Sequence, residues 1–461
     1  MPETVDVVVI GMGPGGEAVA GKLAESGLRV VGIDHRLVGG ECPYYGCVPS
    51  KMMIRAADSL AEARRVRELA GSSDVRPDYS PVFQRVRDEA TDNWNDQVAV
   101  DRFTGKGGRF VRGRGRLTGP RTVAVDDGQE FTVERAIVIN SGTEPAIPPI
   151  DGLTDTPFWT NRDAVAVETP PESLVVVGGG AIGLELAQAF ARFGTHLEVV
   201  ESADRLAPGE EPEAGELIAE VLREEGCGVH IGATVRAVRH TDDSYTVDLG
   251  DKELRAERLL ISTGRRTDLA ALGVDALGLD TDAKSLQPDE RMRIASSASG
   301  EGQRVGVYAI GDVTGKGAFT HISMYQAEIA TNDILGKPNH AAEYHAVPRV
   351  TFTDPEIGAV GLTEAQARDR GLSVRVGHAR LPSSARGWIH KAGNAGLIKL
   401  VEDTERGVLV GATAVGPSGG EVLAALVVAV HAGVPTERLR QMIYAYPTFH
   451  RAIEDALSTM D

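Results

Sequence analysis

Cysteine is scarce in this 461-residue chain: Cys42, Cys47 and Cys227 are too few for the disulfide framework that staples small secreted domains. Cations are in deficit, with 48 Lys and Arg against 66 Asp and Glu. The net charge of −18 repels polyanions, so neither nucleic acid nor an anionic membrane is an expected partner. Long apolar runs are missing too. Those present, such as 423–430, fall far short of the roughly 20 residues that cross a bilayer, so no membrane insertion is expected. No N-terminal segment joins a basic start to an apolar stretch and a small-residue cleavage site, and residues 4–10 run straight into a glycine loop, which points to a cytoplasmic protein. The rest, 42% hydrophobic and 25% charged, is the composition of a folded chain rather than a disordered one, and its length suggests about three domains.

Two of the three thiols stand close together in Gly39-Gly40-Glu41-Cys42-Pro43-Tyr44-Tyr45-Gly46-Cys47-Val48-Pro49-Ser50-Lys51. Four intervening residues allow one helical turn to bring the Cβ atoms within the roughly 3.5–4.5 Å that a disulfide requires, and the flanking glycines admit close approach of another group. The pair reads as a disulfide that exchanges electrons. A metal half-site and two unrelated buried thiols are the alternatives. A metal needs more ligands, and only Cys227 remains, far away in sequence, so no metal is expected.

Residues 5–10 form an apolar run of the kind found in a buried parallel strand, followed by Gly11-Met12-Gly13-Pro14-Gly15-Gly16 and a helical stretch to Leu23. Gly11, Gly13 and Gly16 fall on the dinucleotide pattern, in which a loop without Cβ atoms lets backbone N–H groups and a helix N-terminus meet a pyrophosphate. A second strand, 30–34, ends in Asp34, placed to accept hydrogen bonds from a ribose. The device recurs at 174–185 with Gly178, Gly180 and Gly183, followed by a strand ending in Glu201. Two dinucleotide sites in one chain suit a flavin and a nicotinamide that pass a hydride between them. Glu201 would bond an adenosine ribose and repel an added phosphate, which favours NADH. Arg205, four residues on, is placed to neutralise that acid or to meet a 2′-phosphate, so NADPH stays open.

Together these residues resemble the FAD-dependent pyridine nucleotide-disulfide oxidoreductases, the family of dihydrolipoamide dehydrogenase, glutathione reductase and mercuric reductase, over nearly the whole chain. Ile139-Asn140-Ser141-Gly142-Thr143 and Ile261-Ser262-Thr263-Gly264-Arg265 resemble its two strand-to-loop crossings, Tyr308-Ala309-Ile310-Gly311-Asp312 its flavin-binding segment, and 347–358 the entry to its interface domain. The resemblance implies an α/β fold with two Rossmann-like domains, for FAD and NAD(P), plus a C-terminal α+β dimerisation domain. It divides the chain into an FAD part at 1–150, an NAD(P) insert at 151–270, a return to the FAD part at 271–340, and an interface domain at 341–461. A Pro-rich crossing at 145–149 and a small, polar linker at 296–302 agree with such cuts. The mostly polar stretch 56–103 reads as long amphipathic helices.

The resemblance also assigns roles. FAD would rest on Gly11, Gly13, Gly16, Asp34, Gly40, Ser141 and Gly142, with Asp312 on its ribityl chain; the nicotinamide nucleotide would rest on Gly178, Gly180, Gly183, Glu201 and Gly264. Cys47 would be the flavin-side thiol and Cys42 the interchange thiol. Both act as thiolates. Lys51, paired with Glu185, would set a positive charge near the flavin. The family pattern then breaks at Tyr444-Ala445-Tyr446-Pro447-Thr448-Phe449-His450-Arg451, where Tyr446 replaces the usual histidine and Arg451 the glutamate that orients it. An imidazole titrates near neutrality and a phenol near 10, so thiol-disulfide interchange should be handicapped. His450 would share the face of Tyr446 on a continuing helix and serve as a substitute base. Mercuric reductases also lack the histidine, but they carry a further cysteine pair near the C-terminus, and no cysteine follows Cys227 here. The leading expectation is a homodimeric FAD and NAD(P)H oxidoreductase acting on a small disulfide or dithiol. A quinone reductase is the main rival, and a flavin-bound redox sensor the non-enzymatic one. The aromatic and basic stretch 386–391 is a further candidate for lining an acceptor cleft.

Overall fold

Valine and isoleucine crowd the first strand because both of its faces are covered. In the computed structural model, which describes residues 2–294 and 305–460, strand Glu3–Ile10 runs parallel to Val30–Asp34 on one side and to Glu130–Ile139 on the other. The linker read at 296–302 lies outside the described residues. Alternate side chains go to opposite layers: Val8, Ile10, Ile33 and Ile137 enter one apolar cluster, and Val7, Val9, Val30 and Val138 another. Each such burial contributes about 1.5–3 kcal/mol. Helix Pro14–Glu25 opens with a proline whose missing N–H costs nothing at that position, and it buries Val19, Ala20 and Leu23 in the second cluster. These strands belong to a seven-stranded sheet in a unit made of 1–49, 85–146 and 265–344.

The second unit comprises 50–84, 147–264 and 345–461. Its four-stranded parallel sheet repeats the first pattern: Ser173–Val177 lies between His196–Glu201 and Arg258–Ile261, with helix Ala181–Arg192 following the glycine loop. A C-terminal five-stranded sheet spans 348–416, and helices Gly419–His431 and Ala452–Ser458 pack their Leu423, Leu426, Ile453 and Leu457 with Leu400 and Ala412 of its strands. Val428, in the middle of the apolar run, is 64% exposed. No helix among the described residues is long and apolar enough to cross a membrane.

Buried ions also hold this unit together. Lys399 is 3% exposed and bonds Glu211 at 2.9 Å, Glu213 at 2.8 Å and Glu364 at 3.1 Å. Burial alone would discharge it; the hydrogen bonds it donates to those acids overcome burial and hold the ammonium above its usual range.

The helical reading of 56–103 is corrected in part. One long helix, Cys47–Leu69, is followed by an irregular stretch, then by short pieces at Ser80–Gln84, Arg85–Ala90 and Gln97–Thr104. Gly71, Pro77 and Pro81 break the periodicity, and Asp92, Asn93 and Trp94 turn the chain through positive φ values of 48–54°.

Candidate active site

The two fingerprints are built alike, and their glycines divide into two kinds. Gly11 has φ +95°, and a Cβ there would lie 2.2 Å from Asn140 O; a Cβ on Gly16 would lie 2.0 Å from Gly11 O. Gly178 and Gly183 repeat this, with hypothetical Cβ contacts of 2.5 Å to Ser262 O and 2.2 Å to Gly178 O. The fold itself requires these glycines. It does not require the middle ones. Gly13, at φ −66°, would meet only Asn140 Nδ2 at 3.3 Å, and Gly180, at φ −85°, would meet nothing within 4 Å. Both middle glycines are helix N-caps with no side-chain cap, so no cap side chain accepts from the first-turn N–H groups. A pyrophosphate fits each cradle.

The acids after each second strand do something the sequence reading missed. Asp34 accepts the N–H of Met12 at 2.7 Å and of Arg36 at 2.8 Å. Glu201 accepts Gly179 N–H and Ala203 N–H, each at 2.7 Å. Each acid therefore fastens its own glycine loop while keeping lone pairs for a ribose. Arg205 is turned to Asp204 and to the carbonyl of Pro208.

Asp312 follows Gly311, whose φ is +77°, and accepts Thr143 Oγ1 at 3.0 Å; burial raises its carboxyl pKa, and Thr143 and Arg265 oppose the shift. Arg265 donates to Thr143 Oγ1 at 2.8 Å and to Thr143 O at 2.7 Å, which pins the loop that carries Ser141 and Gly142. Gly142 and Gly264 both have positive φ and open space where a Cβ would be. In the sequence, Asn140, Thr143 and Arg265 stand only as parts of the two crossings. Their roles are those of tertiary partners, and no local pattern encodes that.

The thiol segment is packed onto the first cradle. Gly39 N–H bonds Met12 O at 2.7 Å, and a Cβ on Gly40 would lie 2.8 Å from Gly13 Cα. Cys42 sits half-buried in the short turn Glu41–Tyr44, whereas Cys47 is exposed at the start of helix Cys47–Leu69, with Sγ 3.5 Å from Thr320 Oγ1. The expected single helical turn is thus a break between two helices. Gly46 and the bridge-region Tyr45, at φ −136° and ψ −2°, interrupt it. Thr320 was not foreseen.

In the second unit, Lys51 Nζ lies 2.7 Å from Glu185 Oε2 and 4.7 Å from the Phe352 ring centroid. Glu185 is buried and also accepts Phe352 N–H at 2.8 Å. Gln188 and Arg192 continue the same helix face. Gln188 donates to Asp354 O at 2.9 Å and accepts Asp354 N–H at 2.7 Å; Arg192 bonds Asp58 and Glu225 at 2.6 Å and Asp354 at 2.8 Å. Burial raises the Asp58 carboxyl from 3.8 to about 6, against the pull of Arg192. A raised acid contributes stability below its ordinary value and loses it as pH rises through its folded value. Between about pH 4 and about pH 6 the wild type should therefore lose more thermal stability than Asp58→Asn, as scanning calorimetry at stepped pH would show.

Tyr446 is 70% exposed and lines a cavity of about 430 Å³ together with Arg380, Arg386, Arg451 and Asp455. Arg451 pairs with Glu454 and stands 5.5 Å from the Tyr446 ring centroid. His450 does not join them. Residues 441–448 are not helical, because Pro447 supplies no N–H and disfavours the α conformation at Tyr446. The His450 ring instead lies 6.1 Å from the ring of Tyr444 and is absent from the cavity wall, which corrects the shared-face expectation. Arg386, from the 386–391 stretch, does reach the cavity, while Trp388 is 76% exposed.

Residues 5–327 match the pyridine nucleotide-disulphide oxidoreductase family, and residues 347–457 match its dimerisation domain. The chain is 32% identical to a dihydrolipoyl dehydrogenase of Haloferax volcanii, over 98% of this chain and 95% of that one. It is also 32% identical to a mercuric reductase of Streptomyces lividans, over 98% and 96%. Among solved structures, the HOCl-induced flavoprotein disulfide reductase of Escherichia coli superimposes with a TM-score of 0.84 at 26% identity, covering 99% of this chain and 100% of that one.

Proposed function

The chain belongs to the pyridine nucleotide-disulphide oxidoreductases, flavoprotein enzymes of FAD and NAD(P)H, and from that premise we propose that its terminal acceptor is a small quinone-type oxidant. Tyr446 carries the proposal. Where the family resemblance places an imidazole, the cavity presents a phenol, and His450 is turned onto Tyr444. Disulfide interchange needs a base to take the proton from the attacking thiol, and an imidazole serves near neutrality where a phenol does not. Quinone reduction asks for no such base: NAD(P)H and one solvent proton convert the quinone to hydroquinone, leaving NAD(P)+.

Bound FAD supplies the two-electron carrier between nicotinamide and acceptor. The chain's own residues bind and orient. Gly11 and Gly16 shape the loop that would hold the flavin nucleotide's pyrophosphate, and Gly13 leaves the room for it. Asp34 takes its ribose, Asp312 its ribityl chain, and Gly40, Ser141 and Gly142 complete the seat. Gly178, Gly180, Gly183, Glu201 and Gly264 do the same for the nicotinamide nucleotide. Lys51, held by Glu185, supplies a fixed positive charge. Cys47 would be the flavin-side thiol and Cys42 the interchange thiol. Because Glu201 is 8% exposed and Arg205 is engaged elsewhere, a 2′-phosphate would meet an uncompensated carboxylate, so NADH is the preferred donor. The domain limits follow the same reading: FAD at 1–150 and 271–340, NAD(P) at 151–270, and the interface at 341–461.

A dithiol or disulfide substrate is the second reading. Cys42 and Cys47 favour it, as do relatives named dihydrolipoyl dehydrogenase. One assay separates the two. With NADH, wild type and Cys42→Ser are expected to reduce a simple benzoquinone at rates within about threefold of each other, with NADPH slower and lipoamide barely used. Brisk lipoamide turnover that disappears in Cys42→Ser would replace the first reading with the second. Residues 347–457 further support a homodimer, which sedimentation at micromolar protein would check; a monomer there would refute it.

A further inference from the structure

We propose that the cavity beside Tyr446 binds an organic oxyanion, so that the acceptor is an aromatic molecule bearing a sulfonate or carboxylate. The inference rests on the quinone reading and adds its charge. The cavity's volume of about 430 Å³ is suited to a small ligand. Its wall is unusual for a chain of net charge −18, since Arg380, Arg386 and Arg451 meet only one lining carboxylate, Asp455.

The three guanidinium groups differ in what holds them. Arg451 is already paired with Glu454 and covers the Tyr446 ring. Arg386 is half-buried and anchored 5.5 Å from the Phe449 ring centroid, a contact that fixes its position and leaves its N–H donors uncommitted. Arg380 is exposed, and among the described residues neither it nor Arg386 has an ion-pair partner. A planar, fixed donor fork is the usual partner of a carboxylate or sulfonate. Asp455 sits on the same wall and disfavours crowding by a second anion, which points to a single anionic group. The exposed Tyr446 ring offers the aromatic part a face to stack on.

The test uses FAD-loaded enzyme with 1,4-naphthoquinone and 1,4-naphthoquinone-2-sulfonate. The ratio of their kcat/KM values cancels effects common to both. Arg386→Glu and Arg380→Glu are each expected to lower the sulfonate-to-neutral ratio by about tenfold or more, and high salt is expected to lower it in wild type. Calorimetric titration with redox-inert naphthalene-2-sulfonate should show binding to wild type and its loss in both variants. FAD content and melting temperature report folding; if Arg386→Glu fails to fold, the exposed Arg380→Glu carries the test. Unchanged ratios and unchanged sulfonate binding in a folded variant would overturn the anion site and leave the quinone reading intact. Sulfonate binding without turnover of either quinone would overturn the quinone reading and leave the anion site.

Discussion

Gly180→Val is expected to keep the wild-type melting temperature and its FAD while KM for NADH rises about 100-fold or more, a loss of roughly 3 kcal/mol of nucleotide binding. The protein has room for the new side chain: Gly180 has φ −85°, and a Cβ there meets nothing within 4 Å. Valine would fill only the space in front of the N-terminus of helix Ala181–Arg192, where the cradle leaves N–H groups uncapped. Two positions earlier the outcome reverses. Gly178 has φ +111° and its Cβ would sit 2.5 Å from Ser262 O, so Gly178→Val should fail to fold the segment at all. Steady-state kinetics beside a thermal melt distinguishes the two. A Gly180→Val protein that melted early, or that bound NADH normally, would show that the open space is not a nucleotide site.

The same two kinds of glycine show what the sequence made legible. The fingerprints, their strands and the following acids were readable because parallel βα units are local: an apolar run, a turn without Cβ atoms and a helix lie within about 20 residues. The spacing could not show that Gly11 and Gly16 serve packing while Gly13 serves a ligand, since Asn140, which separates the two roles, is more than a hundred residues away. The second role of Asp34 and Glu201 was hidden for the same reason. Around the thiols, Gly46 is visible as a helix breaker, yet the four residues between Cys42 and Cys47 also suit a single helical turn. At the C-terminus, Pro447 held enough information to reject a helix from Tyr446 to His450. The cavity itself was not legible, because it joins 378–386 to 446–459 through a sheet whose pairing no short motif specifies.

Arg192→Met should cost about 3–5 kcal/mol of stability in the second unit, far more than an exposed ion pair of similar length. The side chain is 2% exposed and meets Asp58 and Glu225 at 2.6 Å and Asp354 at 2.8 Å. Burial on its own would lower its pKa; hydrogen bonding and charge from these acids reverse that and hold it above the usual arginine range. Methionine keeps much of the stem's apolar packing, so the loss would report uncompensated carboxylates rather than an empty volume. Adding Glu225→Gln should restore part of the stability by removing a charge whose cationic partner is gone, whereas Asp354 keeps Arg65 at 2.7 Å and adding Glu62→Gln, at the surface, should restore none. The damage should also travel along the helix. Arg192 and Gln188 hold Asp354, and Glu185 holds both Phe352 N–H and Lys51, so releasing one end of this face frees the segment that orients the lysine. Protease sensitivity near 352–354 that rises in Arg192→Met is the expected pattern. An Arg192→Met protein as stable as its parent would mean that the carboxylates find solvent without it, and the face from Glu185 to Arg192 would then be decoration on a helix that packing alone supports.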